Sequence, residues 1–200
     1  MNLSNAWKHY KIVSAHRKEV RRLCFKIGLY RQGLTHDLSK YSPSEFLPGI
    51  WYFQGFRSPN DEERQETGAS TAWMHHKGRN RHHFEYWVDY PSQELRDFLI
   101  GGGQRMGLLR QFQAVEMPVK YVAEMFCDRV AACKTYQKEA YTQRSPLEYQ
   151  DKMRPHIFMH PATEALITEF LTVLAEKGED EACQYVKAYL KKRKGEHFER

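Results

Sequence analysis

Gly33-Leu34-Thr35-His36-Asp37-Leu38-Ser39-Lys40 is the stretch on which the reading of this chain turns. Thr35 has the chemistry of a helix N-cap, so the segment predicts a short helix beginning at His36. Adjacent His and Asp side chains at a helix start can offer an imidazole nitrogen and a carboxylate oxygen to one cation, a mixed set suited to transition metals. An aspartate there also complements the helix dipole with no metal involved, so the dipeptide gains weight only from its company.

Upstream, Ser4 is a candidate N-cap, and Ile12, Val13, Val20, Leu23 and Ile27 recur at helical spacing to about Leu29. His16 falls within that apolar stripe, where it is either a hydrogen-bonded core residue or a ligand. Downstream, Ser42-Pro43-Ser44-Glu45 puts Ser at the cap, Pro at N1 and Glu at N3. The polar stretch Gly55 to Gly68 reads as a loop with a short helix near Asp61 to Glu66, and a helix through Trp73 and His76 follows. Pro91-Ser92 resets the chain before Gln93 to Ile100, and Gly101-Gly102-Gly103 must end the element before it.

Pro118 at N1 opens a long helix running to about Ala140, and Ser145-Pro146-Leu147-Glu148 repeats the capping pattern. Pro161 to Glu176 is amphipathic, Gly178 closes it, and Asp180 caps a last helix carrying Val186, Tyr189 and Leu190 before a basic tail. No period-2 run of β-branched residues occurs, so the expected class is all-α, with seven to nine helices.

The helix from Pro118 has one apolar face of Val119, Val122, Phe126, Val130 and Cys133, and a second of Tyr121, Met125 and Ala132 with Asp128 in its middle. A desolvated carboxylate there needs a cation or a salt bridge from another helix, and either answers the requirement. Arg129 points elsewhere on the wheel. Between the two Asp-bearing segments lies His75-His76-Lys77-Gly78-Arg79-Asn80-Arg81-His82-His83-Phe84-Glu85-Tyr86-Trp87. Its four histidines suggest metal ligands, with one of each adjacent pair facing inward, since a partner six or seven residues on can share a helix face or flank a tight turn. The competing reading is a basic, aromatic surface that stacks on nucleic acid.

The bulk numbers exclude several classes. The chain has 200 residues, enough for one sizeable core, and no apolar run near the ~18 residues a membrane span requires. Met1 to Trp7 has no apolar region or cleavage site of a secretory signal, so the expected compartment is cytoplasmic. Cys24, Cys127, Cys133 and Cys183 are widely spaced and read as reduced core thiols. A net charge of +6 is compatible with an anionic partner.

Taken in order, His16, then His36-Asp37 with Lys40, then His76 and His82 or His83, then Asp128 resembles the HD superfamily of metal-dependent phosphohydrolases, and in particular a bacterial branch carrying the histidine strip. The matching stretches are Leu34-Thr35-His36-Asp37-Leu38-Ser39-Lys40 and Cys127-Asp128-Arg129-Val130-Ala131-Ala132. The resemblance implies an HD-like helical bundle over about residues 7–140, with residues 141–200 as a helical extension of the same single domain. It further implies one or two divalent ions (Fe, Mn, Zn, Ni, Co or Mg), held by His16, His36, Asp37 and Asp128 and, through a bridging Asp37, by His76 and His82 or His83.

The implied activity is hydrolysis of a phosphomonoester or phosphodiester in a small, nucleotide-like or otherwise phosphorylated substrate. Asp37 and Lys40 are the expected catalytic pair, and Lys40, Arg79 and Arg81 the phosphate contacts. The Gly-Tyr-Pro segment of the cyclic-dinucleotide phosphodiesterases is missing, so the substrate is not carried over. Two other functions stay open at this point: a di-iron oxygenase, since some HD-fold proteins activate dioxygen, and a nonenzymatic nucleic-acid or partner-binding protein with a structural metal.

Overall fold

A computed structural model describes residues 3–89 and 112–196. Among the described residues nine α-helices succeed one another: α1 (Leu3–Lys26), α2 (Tyr30–Thr35), α3 (Pro43–Trp51), α4 (Pro59–Thr67), α5 (Thr71–Lys77), α6 (Val119–Gln137), α7 (Ser145–Met153), α8 (Pro161–Lys177) and α9 (Glu179–Glu196). Two short strands, β1 (Val88–Asp89) and β2 (Gln113–Ala114), pair antiparallel with Val88 opposite Ala114. Strands were not expected, and two residues each are too few for an alternating pattern to show in a sequence. The expectations for Gln93 to Ile100 and for Gly101-Gly102-Gly103 lie outside the described residues.

The result is an all-α bundle with no closed sheet. Its core joins the apolar stripe of α1 (Val20, Leu23), continued by Ile27 just after it, to α6 (Val122, Phe126, Val130), α8 (Ile167, Phe170, Leu171, Leu174) and α9 (Ala182, Val186). Phe126 and Phe170 meet edge to face at 6.2 Å. Full burial of such side chains contributes about 1.5–3 kcal/mol each, so this seam holds α1 and α6 in register. The four cysteines lie in or beside it as buried, unpaired thiols. No helix of the described residues is long and apolar enough to cross a membrane.

Several helix ends differ from expectation, each for a local reason. α1 stops at Lys26 rather than near Leu29, because Gly28 adopts a left-handed φ of 84° and turns the chain into α2. Thr35 caps nothing: it ends α2 and donates its hydroxyl to the Arg31 carbonyl, and the helix foreseen at His36 is a 3-10 turn over Leu38–Tyr41. Ser42 is the N-cap of α3 with Pro43 opening the helix, as expected, but its side chain makes no cap hydrogen bond, and Glu45 turns to two histidines. Ser145 is the first residue of α7, and its hydroxyl accepts from the Thr142 amide instead. Ser4 and Asp180 fall just inside their helices, while Pro118 is an N-cap rather than N1.

Two contacts tie the site-bearing elements together. Gly49 of α3 lies so close to α1 that a Cβ there would overlap the His9 ring, which packs against Phe46 and Phe53. On the far side of α1, Glu179 accepts from Arg22 at 2.7 Å and Lys26 at 2.6 Å and pairs with Lys134 of α6, which also reaches Glu19 at 2.9 Å. Burial opposes ionisation of Glu179, but Arg22, Lys134 and Lys26 outweigh it and hold the carboxyl below its usual range.

A carboxyl depressed by folding stabilises the protein fully above its unfolded pKa, and the contribution is lost as pH falls toward the folded value. Glu179→Ala is therefore expected to lower stability by about 1–3 kcal/mol at pH 7. Measured by denaturant titration, the gap between wild type and variant should narrow as pH falls below about 4.5.

Candidate metal centre

Five segments deliver the site. α1 brings His16; the turn between α2 and the 3-10 helix brings His36 and Asp37; the 3-10 helix itself brings Lys40; the end of α5 and the turn after it bring His76, His82 and His83; α6 brings Asp128. Asp37 is the hub, fully buried and in the left-handed region at φ 51°, a conformation that aspartate tolerates better than most residues. That twist turns its two oxygens to opposite partners. Oδ2 lies 3.8 Å from His16 Nε2, 3.4 Å from His36 Nε2 and 2.7 Å from Lys40 Nζ, while Oδ1 lies 3.4 Å from both His76 Nε2 and His82 Nε2.

Two ligand sets result. His16, His36, Asp37 and Asp128 form one and Asp37, His76, His82 and His83 the other, each with one donor atom per residue and all of these atoms within 4.8 Å of one another. Asp128 Oδ1 closes the first set, 3.0 Å from His16 Nε2 and 3.3 Å from His36 Nε2. In the second, His83 Nε2 comes within 2.9 Å of His76 Nε2, and the Trp73 ring packs on both imidazoles. These buried His/Asp clusters are capable of coordinating a metal ion.

The hydrogen bonding fits a metal ion at this place. Both oxygens of Asp37 and the Nε2 atoms of His16, His36 and His82 are buried with no hydrogen bond of acceptable geometry. Buried polar atoms are rarely left so, and five together around one point are accounted for if they face an ion. The donor set, imidazole with carboxylate, suits first-row transition metals.

Two carboxylates that sequence reasoning did not select hold the imidazoles in place. Glu124 Oε1 accepts from His36 Nδ1 at 3.0 Å and lies 3.4 Å from His82 Nδ1; Glu45 accepts from His76 Nδ1 at 2.7 Å and from His75 Nδ1 at 2.7 Å. A proton on Nδ1 leaves the Nε2 lone pair facing Asp37, the tautomer coordination needs. His36, His82 and Glu124 form a third possible ligand group, but Nδ1–H donation to Glu124 favours the orienting role over a separate ion. Glu124 was detectable, one turn before Asp128 on the same helix face. Glu45 was hidden because its position also fitted a capping box.

The remaining assignments are placed as follows. Of the adjacent pairs, His76 and His82 are buried against Asp37, His83 completes the second set, and His75 turns to Glu45. They flank a tight turn rather than sharing a helix face. Arg79 and Arg81 lie on the other side of this turn and line a cavity bounded by His36, His82 and Glu124. Arg129 is buried against Gln150 of α7, not solvated. Asp128 keeps 17% of its side chain accessible and Lys40 30%, so the centre communicates with solvent on their side.

The charges of the set are uneven. Burial opposes ionisation of Asp37, but His36, Lys40, His76 and His82 hold its carboxyl well below the usual range, and His16 and His36 do the same for Asp128. Burial also opposes a charge on His36, yet Asp37, Asp128 and Glu124 outweigh it and its pKa is pushed up to about 10. His16 and His83 are held below the usual imidazole range, chiefly by burial.

A cation must therefore displace a proton from His36. Metal affinity is expected to rise with pH between 6 and 8, by about tenfold per unit for one displaced proton, as read by chelator competition. Glu124→Gln should weaken metal retention by about 10–100-fold with the helical content unchanged. In comparisons with known proteins, no protein of curated function and no solved structure matches this chain. A family model described as "Family of unknown function (DUF5662)" matches residues 5–173, and the chain belongs to that family.

Proposed function

We propose that this chain is a metal-dependent phosphohydrolase of the HD type, acting on a small phosphorylated substrate. The observation that carries the reading is the meeting of His16, His36, Asp37 and Asp128, in that chain order, in one ligand set that shares Asp37 with a second set of His76, His82 and His83. In this reading residues 7–140 form the HD-like core and residues 141–200 extend it within one domain. The donor inventory would accommodate two divalent ions, one held by His16, His36, Asp37 and Asp128 and one by Asp37, His76, His82 and His83. Ions held there supply Lewis acidity, which lowers the pKa of water and offsets charge on phosphoryl oxygens.

The chain's own residues do the rest. Glu124 and Glu45 fix the imidazole tautomers. Lys40 holds its ammonium 2.7 Å from Asp37 Oδ2 while remaining partly accessible, so it can contact a phosphate oxygen as a point charge without leaving the centre. Elevation of its pKa, where burial is outweighed by Asp37 and Asp128, keeps it charged throughout the physiological range. Access from the side of Asp128 and Lys40 directs the substrate there, because the opposite side is walled by His36 and His82.

Elemental analysis of the purified protein, together with phosphate release from a panel of phosphomonoesters and phosphodiesters, tests the reading. Asp37→Asn is expected to lose both metal and turnover. Lys40→Met should keep the metal and lower kcat/KM by about 10–100-fold, the equivalent of one charge-assisted hydrogen bond. Equal metal content in wild type and Asp37→Asn would overturn the assignment. Bound iron with dioxygen uptake and no phosphate release would replace it with an oxygenase.

A further inference from the structure

Beside the metal centre lies a concavity that the centre does not use. A cavity of about 1280 Å³ opens between α2, the turn after α5, the start of α6 and the end of α9, and is lined by Arg31, Arg79, Arg81, Lys120 and Arg193. Its floor is formed by His36, His82 and Glu124, whereas Asp37, Lys40, His16, His76, His83 and Asp128 take no part in its wall. His36 and His82 separate the two spaces, since each presents Nε2 to Asp37 and Nδ1 to Glu124, opposite sides of the ring.

The wall is strongly cationic. Among the described residues, Glu116 is its only acidic residue besides Glu124, which is already engaged with two imidazoles. Among the described residues, Arg31, Arg79, Arg81 and Lys120 have no carboxylate within ion-pair distance, although this chain pairs many of its other cations. Arg81 and Lys120 are braced on one ring: Arg81 donates to the Tyr121 hydroxyl at 3.3 Å, and Lys120 Nζ lies 5.0 Å from the Tyr121 centroid. Arg31, Arg79, Arg81 and Lys120, converging from separate elements on one hollow and with no carboxylate in ion-pair distance among the described residues, form a receptor for an anion.

We propose that this cavity is a second ligand site, separate from the metal centre, for a small molecule carrying several phosphate groups. Several charges are needed because the cations come from α2, the turn, α6 and α9, and one phosphate cannot reach them all. A compact polyanion can bring its charges to cations on several sides of one half-open hollow, whereas a nucleic-acid backbone tracks an extended groove. Arg79 and Arg81 thus serve this site rather than the phosphate at the metals. The proposal stands independently of what the metal centre catalyses.

Isothermal titration of the full chain with inorganic triphosphate tests it, with Asp37→Asn, Arg31→Glu and the double variant Arg79→Glu, Lys120→Glu alongside wild type. The expected result is saturable binding that is retained in Asp37→Asn and weakened about tenfold or more in the double variant. Arg31→Glu, on the opposite wall, should weaken binding too, and circular dichroism verifies that each variant is folded. Loss of binding in Asp37→Asn would place the anion on the metals and overturn the proposal. So would absence of binding, undiminished binding in both charge-reversal variants, or tighter binding of a single-stranded RNA oligomer than of triphosphate.

Discussion

An ionised aspartate with no accessible surface and no hydrogen-bond donor of good geometry is the constraint around which this molecule is arranged. Asp37 faces four imidazoles and one ammonium. Removing a carboxylate from water is costly by several kcal/mol unless cationic partners replace the lost hydration. Lys40 and a protonated His36 supply part of that, but Asp128, Glu124 and Glu45 bring three more carboxylates into the same region. Four acids gathered around one centre concentrate negative charge in a buried place, which divalent ions would offset.

The bundle's topology makes this concentration of charge tolerable. The apolar seam between α1, α6 and α8 is separate from the polar centre, so the buried charges do not interrupt the packing of the core. His16 and Val20 are one helical turn apart on α1, yet one faces a carboxylate and the other the core. The same change occurs on α6 between Asp128 and Val130. Both helices are thus amphipathic twice over, first toward solvent and then along their buried faces. Ion pairs from Arg22 and Lys134 to Glu179 brace the outside of this joint and keep the two helices from sliding past each other.

Much of this was legible in the sequence, and the gaps have physical causes. Helical periodicity identified α1, α6 and α8, because burial against one core imposes a 3.6-residue repeat. Buried polar residues inside those repeats, His16 and Asp128, carried the signal for the site. Helix ends were less legible. Ser, Thr and Glu bond to whatever is nearest, and at Thr35, Glu45 and Ser145 the nearest partner was not the one a capping pattern supposes. Nor could spacing separate His75 from His76, since the choice depends on which ring reaches Asp37 across a turn, a distance set by α3 and α5 together. Arg129 escaped for the same reason: its partner Gln150 lies on another helix.

The wall formed by His36 and His82 gives the site two faces of opposite sign. Toward Asp37 the surroundings are dominated by carboxylates and attract cations; toward Arg79 and Lys120 they are cationic. Glu124 stands at the boundary, accepting from both rings while also lining the basic hollow. Any charge placed in that hollow acts on Glu124 at short range and with little screening, and Glu124 in turn sets how strongly two imidazoles donate toward the centre. A negative ligand there would relieve repulsion among the arginines and lysine. The two faces therefore meet at one side chain, Glu124.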